Sequence, residues 1–261
     1  MRNLTVMKHS EKMRPSEASA LFAVGLCFLP AVPTMAAKPK ATKPPEAAAP
    51  LAAVSPNLVS RWPGEGNAND VVSGHNGILE NGLGFAPGRF GKAFSFNGHQ
   101  YVSIPFNAAF DFSPGDRFTV SAWVQPKAVG SYQAILVKAP PGGPWEWGII
   151  IDPQNHFYTG RDAHDVAQST TTIQKGKWYH VAVTYQSGAL MMYVNGVLEN
   201  QATGVSVGQS LGGLALGHKG DTELPKEDPD WFTGLIDEVR LYNRALTAPE
   251  IALLAHGQEV P

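Results

Sequence analysis

Cysteine is almost missing: the 261 residues contain one, Cys27. A single thiol builds no disulfide framework, so the fold must be held by packing or by a hard cation. Cys27 also falls in a segment expected to be removed, which excludes thiolate chemistry and a cysteine-ligated zinc site. Charge is scarce as well, at 16% of residues with a formal net charge of −2. Residues 1–36 carry Arg2, Lys8, Lys12 and Arg14 against Glu11 and Glu17, so the remainder stands at about −4 by the same counting. A mildly acidic surface repels nucleic acid and anionic lipid. No Gly-x-Ser-x-Gly elbow, phosphate loop or His-Glu-x-x-His is present.

No apolar run reaches the ~20 residues that cross a bilayer comfortably. Ala18–Leu29 is a shorter one, preceded by the basic residues and broken by Pro30 and Pro33. Thr34-Met35-Ala36 then places small residues where a signal peptidase reads them. This order predicts a cleaved secretory signal over residues 1–36. Leu26, just before Cys27, is too large for lipoprotein processing. The expected location is secreted, periplasmic or cell-surface, with no membrane insertion after cleavage. Residues 37–56 are rich in Pro and Ala without periodicity, and read as a semi-rigid spacer or a plain disordered end.

What is abundant is turn chemistry, with 27 glycines and 21 prolines. Short strand-like runs separated by Gly, Asn, Asp and Pro fill residues 57–257. Lys92–Phe96 and Tyr101–Ile104 flank Asn97-Gly98. Phe118–Val124 and Trp178–Tyr185 alternate cleanly between apolar and polar. Asn195-Gly196 between Leu190–Val194 and Val197–Leu198 is the strongest hairpin signal in the chain. One short helix is predicted, capped by Thr247, with Pro249 in its first turn, Glu250 three residues after the cap, and Gly257 ending it. The fold class is all-β: a two-sheet antiparallel sandwich with one short C-terminal helix, followed by a tail at residues 258–261.

Several segments in order resemble one family. They are Leu58–Leu79, Gly88–Pro105, Phe118–Pro126, Lys177–Tyr185, Leu190–Leu198 and Gly234–Ile251. Together they are similar to the laminin-G-like jelly-roll domain of the concanavalin A-like lectin/glucanase superfamily, over roughly residues 58–256. The resemblance implies two antiparallel sheets, often a structural calcium, and binding of carbohydrate or protein.

Parity along Leu235–Leu241 puts Asp237 in a row with Leu235, Val239 and Leu241, and turns Glu238 the other way with Arg240. A carboxylate in an apolar row needs hydrogen bonds or a cation. The loop Glu65–Gly77 is rich in oxygen ligands (Glu65, Asn67, Asn69, Asp70, Ser73, Asn76), and the resemblance implies that it lies near the closing strand. Asp70 and Asp237 are therefore the expected holders of a structural Ca²⁺. The other reading is that Asp237 caps loop amides without metal.

Glycoside hydrolysis needs two cooperating carboxylates about 5 Å or more apart. Asp237 and Glu238, expected on opposite sheet faces, do not supply them, and the related glucanases' Glu-x-Asp-x-x-Glu run is absent. The expected protein is no enzyme, but a lectin-like module for extracellular or cell-wall polysaccharide. A protein-interaction or cell-surface scaffold domain is the alternative, and a glycoside hydrolase the minor one. Sugar binding calls for aromatic platforms with polar neighbours. Trp145 and Trp231 adjoin long loops and are the candidates, with Tyr158, Arg161 and His164 along the same edge. Trp62, Trp123 and Trp178 are expected in the core.

Overall fold

The computed structural model describes residues 55, 57–112, 117–140, 145–161, 164–207, 211–219 and 230–261. The predicted signal, almost all of the spacer, and the tips of the loops at 141–144 and 220–229 lie outside these residues.

Among the described residues fifteen strands form two sheets, and every pairing is antiparallel. The eight-stranded sheet contains β1 (Leu58–Trp62), β3 (Gly84–Pro87), β4 (Lys92–Asn97), β6 (Arg117–Pro126), β11 (Tyr179–Gln186), β12 (Ala189–Val194), β13 (Val197–Thr203) and β15 (Thr233–Tyr242). Its order is β13-β12-β11-β6-β15-β4-β3, with β1 also paired to β15. The seven-stranded sheet contains β2 (Ile78–Glu80), β5 (Tyr101–Ile104), β7 (Gln133–Ala139), β8 (Trp147–Ile151), β9 (Phe157–Arg161), β10 (His164–Gln168) and β14 (Gly213–Leu216). Its order is β10-β9-β8-β7-β14-β5-β2.

Alternation explains the layers. Phe118, Val120, Ala122 and Val124 of β6 and Tyr179, Val181, Val183 and Tyr185 of β11 point into one core between the sheets. Their neighbours Thr119, Ser121 and Trp123 line the outer face. Asn195 and Gly196 both have positive φ (50° and 84°) and close the β12–β13 hairpin, as a type I′ turn requires. Asn97-Gly98 does something else: it carries the chain from β4 in one sheet to β5 in the other.

The C-terminal helix α1 (Ala248–Ala255) starts where the sequence predicts it. Glu250 Oε2 accepts the Thr247 N–H at 2.7 Å and the Thr247 hydroxyl at 2.8 Å. Ile251 and Leu254 bury the helix against Ala182, Tyr193, Tyr242 and Leu246, so it covers part of the outer face of the larger sheet.

Candidate functional site

Strand β15 departs from simple alternation, and this changes the chemistry of its carboxylates. Asp237 pairs with Trp123 and Arg240 with Ser121, which leaves one extra residue on β15 between them. Glu238 stands there in left-handed backbone, at φ +52°. Such a bulge shifts the phase of the strand. Ile236, Val239 and Leu241 enter the core, while Asp237 and Arg240 share the outer face. The expectation that Asp237 lies in a row with Val239 and Leu241 is therefore corrected, while Leu235, which precedes the bulge, does share its face. The argument that Asp237 and Glu238 face apart is corrected too. Glu238 reaches Arg240 at 3.0 Å on that same outer side and is gripped by Arg61 at 2.8 Å.

Asp237 is fully buried, at 0% exposure. Its Oδ2 accepts the Phe90 N–H at 2.9 Å, and its Oδ1 has no partner among the described residues. Burial raises its pKa to about 7; the Phe90 amide, and more weakly the Arg89 and Glu238 amides, oppose that shift, and the neighbouring Glu238 carboxylate adds to it. Glu65 holds the same turn from the other end, with Oε1 accepting the Lys92 N–H at 3.0 Å. Gly88 is required between them: a Cβ there would lie 2.6 Å from Asp237 Oδ2 and 2.9 Å from the Lys92 carbonyl oxygen. Glu65 was legible only as one of six oxygen-bearing side chains in its loop.

Asp70 is differently employed. Its Oδ1 accepts the N–H groups of Arg61 (2.9 Å) and Val72 (3.0 Å), and its Oδ2 those of Ser73 (3.3 Å) and His75 (3.1 Å). His75 Nδ1 also lies 3.3 Å from Oδ2. Four backbone N–H donors surround this buried carboxylate, which orders its own loop as a cap does. Asp70 and Asp237 thus serve different backbone segments, the 70–75 loop and the 88–90 turn.

A half-exposed aromatic cluster lies elsewhere. Phe232 packs into the core, edge-on to Phe96 at 5.7 Å, so the preceding Trp231 faces outward. The Trp231 ring stacks on buried His218 at 3.9 Å and 23°. Tyr101 and His99 flank it at 6.0 and 6.2 Å. The Phe232 N–H donates to the Gly217 carbonyl at 3.0 Å, fixing the segment that carries Trp231 beside the one that carries His218. Tyr101 points out of β5 because Val102 points in; burial, with Glu80 nearby, raises its pKa above the ordinary phenol value. A flat ring backed by a second ring and bordered by hydroxyl and imidazole groups can stack against an apolar face while hydrogen-bonding its rim.

The other predicted residues fall in different surroundings. Trp145 is 6% exposed and Tyr158 8%, packed with Ala134, Val137, Ala139 and Ile150 on the outer face of the smaller sheet. Their rings meet edge-on at 6.1 Å. The expectation of an exposed Trp145 platform is corrected: the ring after the 140–144 loop packs onto the sheet. Arg161 closes β9 and His164 opens β10, opposite one another in register; their side chains lie outside the described set. Trp62 lies in the core as expected; Trp123 is buried on the outer face beside Phe90 and Arg89, and Trp178 is half-buried, so neither joins the core between the sheets. Among the described residues no group of three or more His, Cys, Asp or Glu side chains gathers as a metal site.

The two sheets, their shared core and a surface aromatic cluster define a lectin-like β-sandwich domain. Residues 96–252 match the family model of the concanavalin A-like lectin/glucanase superfamily in its laminin-G form. The chain belongs to that superfamily. It is 32% identical over 128 residues to the Sushi, von Willebrand factor type A, EGF and pentraxin domain-containing protein 1 of Mus musculus, covering 44% of this chain and 4% of that protein. It is 27% identical over 154 residues to adhesion G-protein coupled receptor V1 of Danio rerio, covering 54% of this chain and 2% of the receptor. The chain thus spans a small fraction of the curated relatives it matches. Among solved structures it is similar to domain 4 of an extracellular arabinanase from Geobacillus stearothermophilus, in complex with arabinotriose. The TM-score is 0.62 at 24% identity, over 76% of this chain and 98% of that one. The binding domain of Paraclostridial Mosquitocidal Protein 1 matches at TM-score 0.62 and 18% identity, over 77% of this chain and 52% of that one. At these identities the likeness is one of fold.

Proposed function

We propose that this protein is an exported, non-catalytic carbohydrate-binding module, with Trp231, Tyr101 and His99 as its platform. The carrying observation is the half-exposed Trp231 ring, stacked on His218 and bordered by Tyr101 and His99. A sugar ring offers a C–H face to such a surface and hydroxyls to its edge. The likeness to a domain solved with arabinotriose supports the same reading. Extracellular or cell-wall polysaccharide is the partner class, and the predicted signal over residues 1–36 is the route out.

The non-catalytic part rests on the adjacent carboxylates of β15. Asp237 and Glu238 share a face, but both are buried beneath other segments and occupied by Phe90, Arg61 and Arg240. A paired acid and base need access to the scissile bond. A structural Ca²⁺ belongs to the same proposal, and the donors fit it unequally. Asp237 fits, with an unpartnered buried Oδ1. Asp70 fits poorly, since amides already surround both its oxygens. Asp237 is the residue that would hold the ion. The cation would supply charge compensation for a buried carboxylate.

A protein partner is the second reading. It draws on the free edge strand β2, where Ile78 and Leu79 are 53% and 37% exposed.

The test is retention of the full chain on a panel of insoluble and soluble polysaccharides. Trp231→Ala and Tyr101→Ala are expected to lose at least about tenfold in affinity with unchanged circular dichroism, since stacked rings contribute on the order of 1–2 kcal/mol each. Wild-type affinity in both variants for every glycan that binds would sink the proposal.

A further inference from the structure

A groove of about 490 Å³ lies on the outer face of the larger sheet, between the β11–β12 hairpin and the Ala245–Thr247 segment that leads into α1. None of the nine residues lining it is charged. Its floor is apolar: Tyr193 and Leu246 are buried and Met191 is half-buried. The polar atoms of that floor satisfy one another. Thr184 hydrogen-bonds the Tyr193 oxygen, and the Tyr193 hydroxyl donates to Met191 Sδ at 3.6 Å.

The rim is different. Gln186 and Ser187 are exposed, and among the described residues neither side chain has a hydrogen-bond partner. The hairpin nonetheless sets their backbone. Gln186 pairs with Ala189, and Ser187 and Gly188 form the two-residue turn between them. Ser187 adopts φ +52° and Gly188 φ +82°. Asn, Asp or Gly ordinarily takes the first place in such a turn, because left-handed backbone disfavours other side chains. A serine held there, with its hydroxyl at the rim of a groove, is strain of the kind found at ligand sites.

We propose that this groove is a second binding site, for one unit of a neutral saccharide, seated on Tyr193, Met191 and Leu246 and hydrogen-bonded by Gln186 and Ser187. An apolar floor with a few convergent uncharged hydrogen-bonding groups is the profile of a small-ligand pocket, and the volume fits one or two sugar rings. A carboxylated or sulfated sugar would lose hydration here without gaining a counter-charge. The site does not depend on Trp231, which belongs to the cluster around Tyr101 of the other sheet. Two sites on opposite sheets would let one domain hold two glycan segments, raising avidity through effective concentration.

The experiment is amide NMR on the ¹⁵N-labelled full chain, titrated with xylotriose, cellotriose and arabinotriose, and with trigalacturonate as the charged control. At least one neutral probe is expected to shift residues 186–189 and 245–247, with trigalacturonate leaving them in place. Ser187→Gly keeps the turn, since glycine adopts the same φ freely, and removes the hydroxyl. Loss of that hydrogen bond is expected to weaken the shifts about fivefold. Trp231→Ala should leave this site intact, so its loss and the loss of the aromatic platform are read separately. No shift with any neutral probe up to roughly 20 mM, a level that still detects millimolar affinity, overturns the proposal. Unchanged binding in both Ser187→Gly and Gln186→Ala overturns it too, as does disappearance of these shifts in Trp231→Ala.

Discussion

Arg61 grips Glu238 with two donors at once, Nε at 2.8 Å and Nη2 at 2.9 Å, across the pairing of the first strand with the last. The guanidinium fork matches a carboxylate in this way, whereas a lysine cannot. Arg240 adds a second cation to Glu238 at 3.0 Å, and Glu259 joins Arg240 at 2.8 Å. The network thereby ties β1 and the C-terminal tail to the bulge in β15. Arg61→Ala should destabilise the fold by roughly 1–3 kcal/mol, less than a fully buried pair because Arg61 is partly exposed and Arg240 remains. Arg61→Lys should recover only part of that loss in urea unfolding. Equal stability of all three proteins would contradict the bidentate account.

Gly88→Ala tests the turn held by Asp237. The added Cβ would meet Asp237 Oδ2 at 2.6 Å and the Lys92 backbone at 2.7 Å. Backbone cannot yield as a flexible side chain can, so a loss of about 1–3 kcal/mol is expected. Gly84→Ala is the control for a glycine replacement without a clash, since nothing lies within 4 Å of its Cβ position and its backbone, like that of Gly88, is not left-handed.

Calcium separates the two aspartates. A cation held by Asp237 at about a hundredfold excess over Kd would stabilise by ~2.7 kcal/mol, some 5–10 °C in melting temperature for a domain of this size. Asp237→Asn should abolish that increment. Asp70→Asn should lower the melting temperature equally with calcium and with chelator, because its oxygens cap amides. Scanning calorimetry reads both, and a wild-type transition indifferent to chelator argues against the ion.

Two tryptophans expected to behave alike should part company. Trp145→Ala removes a ring buried beside Tyr158, Val137 and Ile150, at a cost of about 3–5 kcal/mol. Trp231→Ala removes a half-exposed ring and should cost much less stability while losing glycan retention. Chemical denaturation and affinity electrophoresis on the same pair of variants decide it.

Glu250 predicts an acid limb. Its carboxylate is lowered to about 2, first by Arg244 at 2.7 Å, against some loss of hydration, and further by Thr247. The stabilisation this supplies is present above the unfolded carboxylate range near 4.5 and is lost as pH falls toward 2. Glu250→Gln should flatten that part of the stability profile. A variant whose profile between pH 5 and pH 2 matches wild type would show that the cap contributes nothing there.

Much of this molecule was legible from neighbours in the chain. Alternation in Phe118–Val124 and Tyr179–Tyr185 placed their core faces, because a strand repeats every two residues. Asn195-Gly196 announced its turn, and Thr247 with Glu250 announced the helix start. Other features were not legible. Asn97-Gly98 reads as a hairpin turn, yet the strands it joins belong to different sheets. The Ser187-Gly188 turn carries a weaker signal, since serine seldom takes the left-handed first place that asparagine fills at Asn195.

Local backbone preference and side-chain periodicity determined the strands, the helix caps and the all-β class, since each depends on residues only a few positions apart. Tertiary structure decided the bulge at Glu238, the common face of Asp237 and Arg240, the burial of Trp145 and the half-exposure of Trp231. Those outcomes turn on partners far away in sequence, such as Arg61 and Glu238, 177 positions apart. No pattern of near neighbours encodes which distant segment will cover a given face, because that is settled by packing across the assembled sheets.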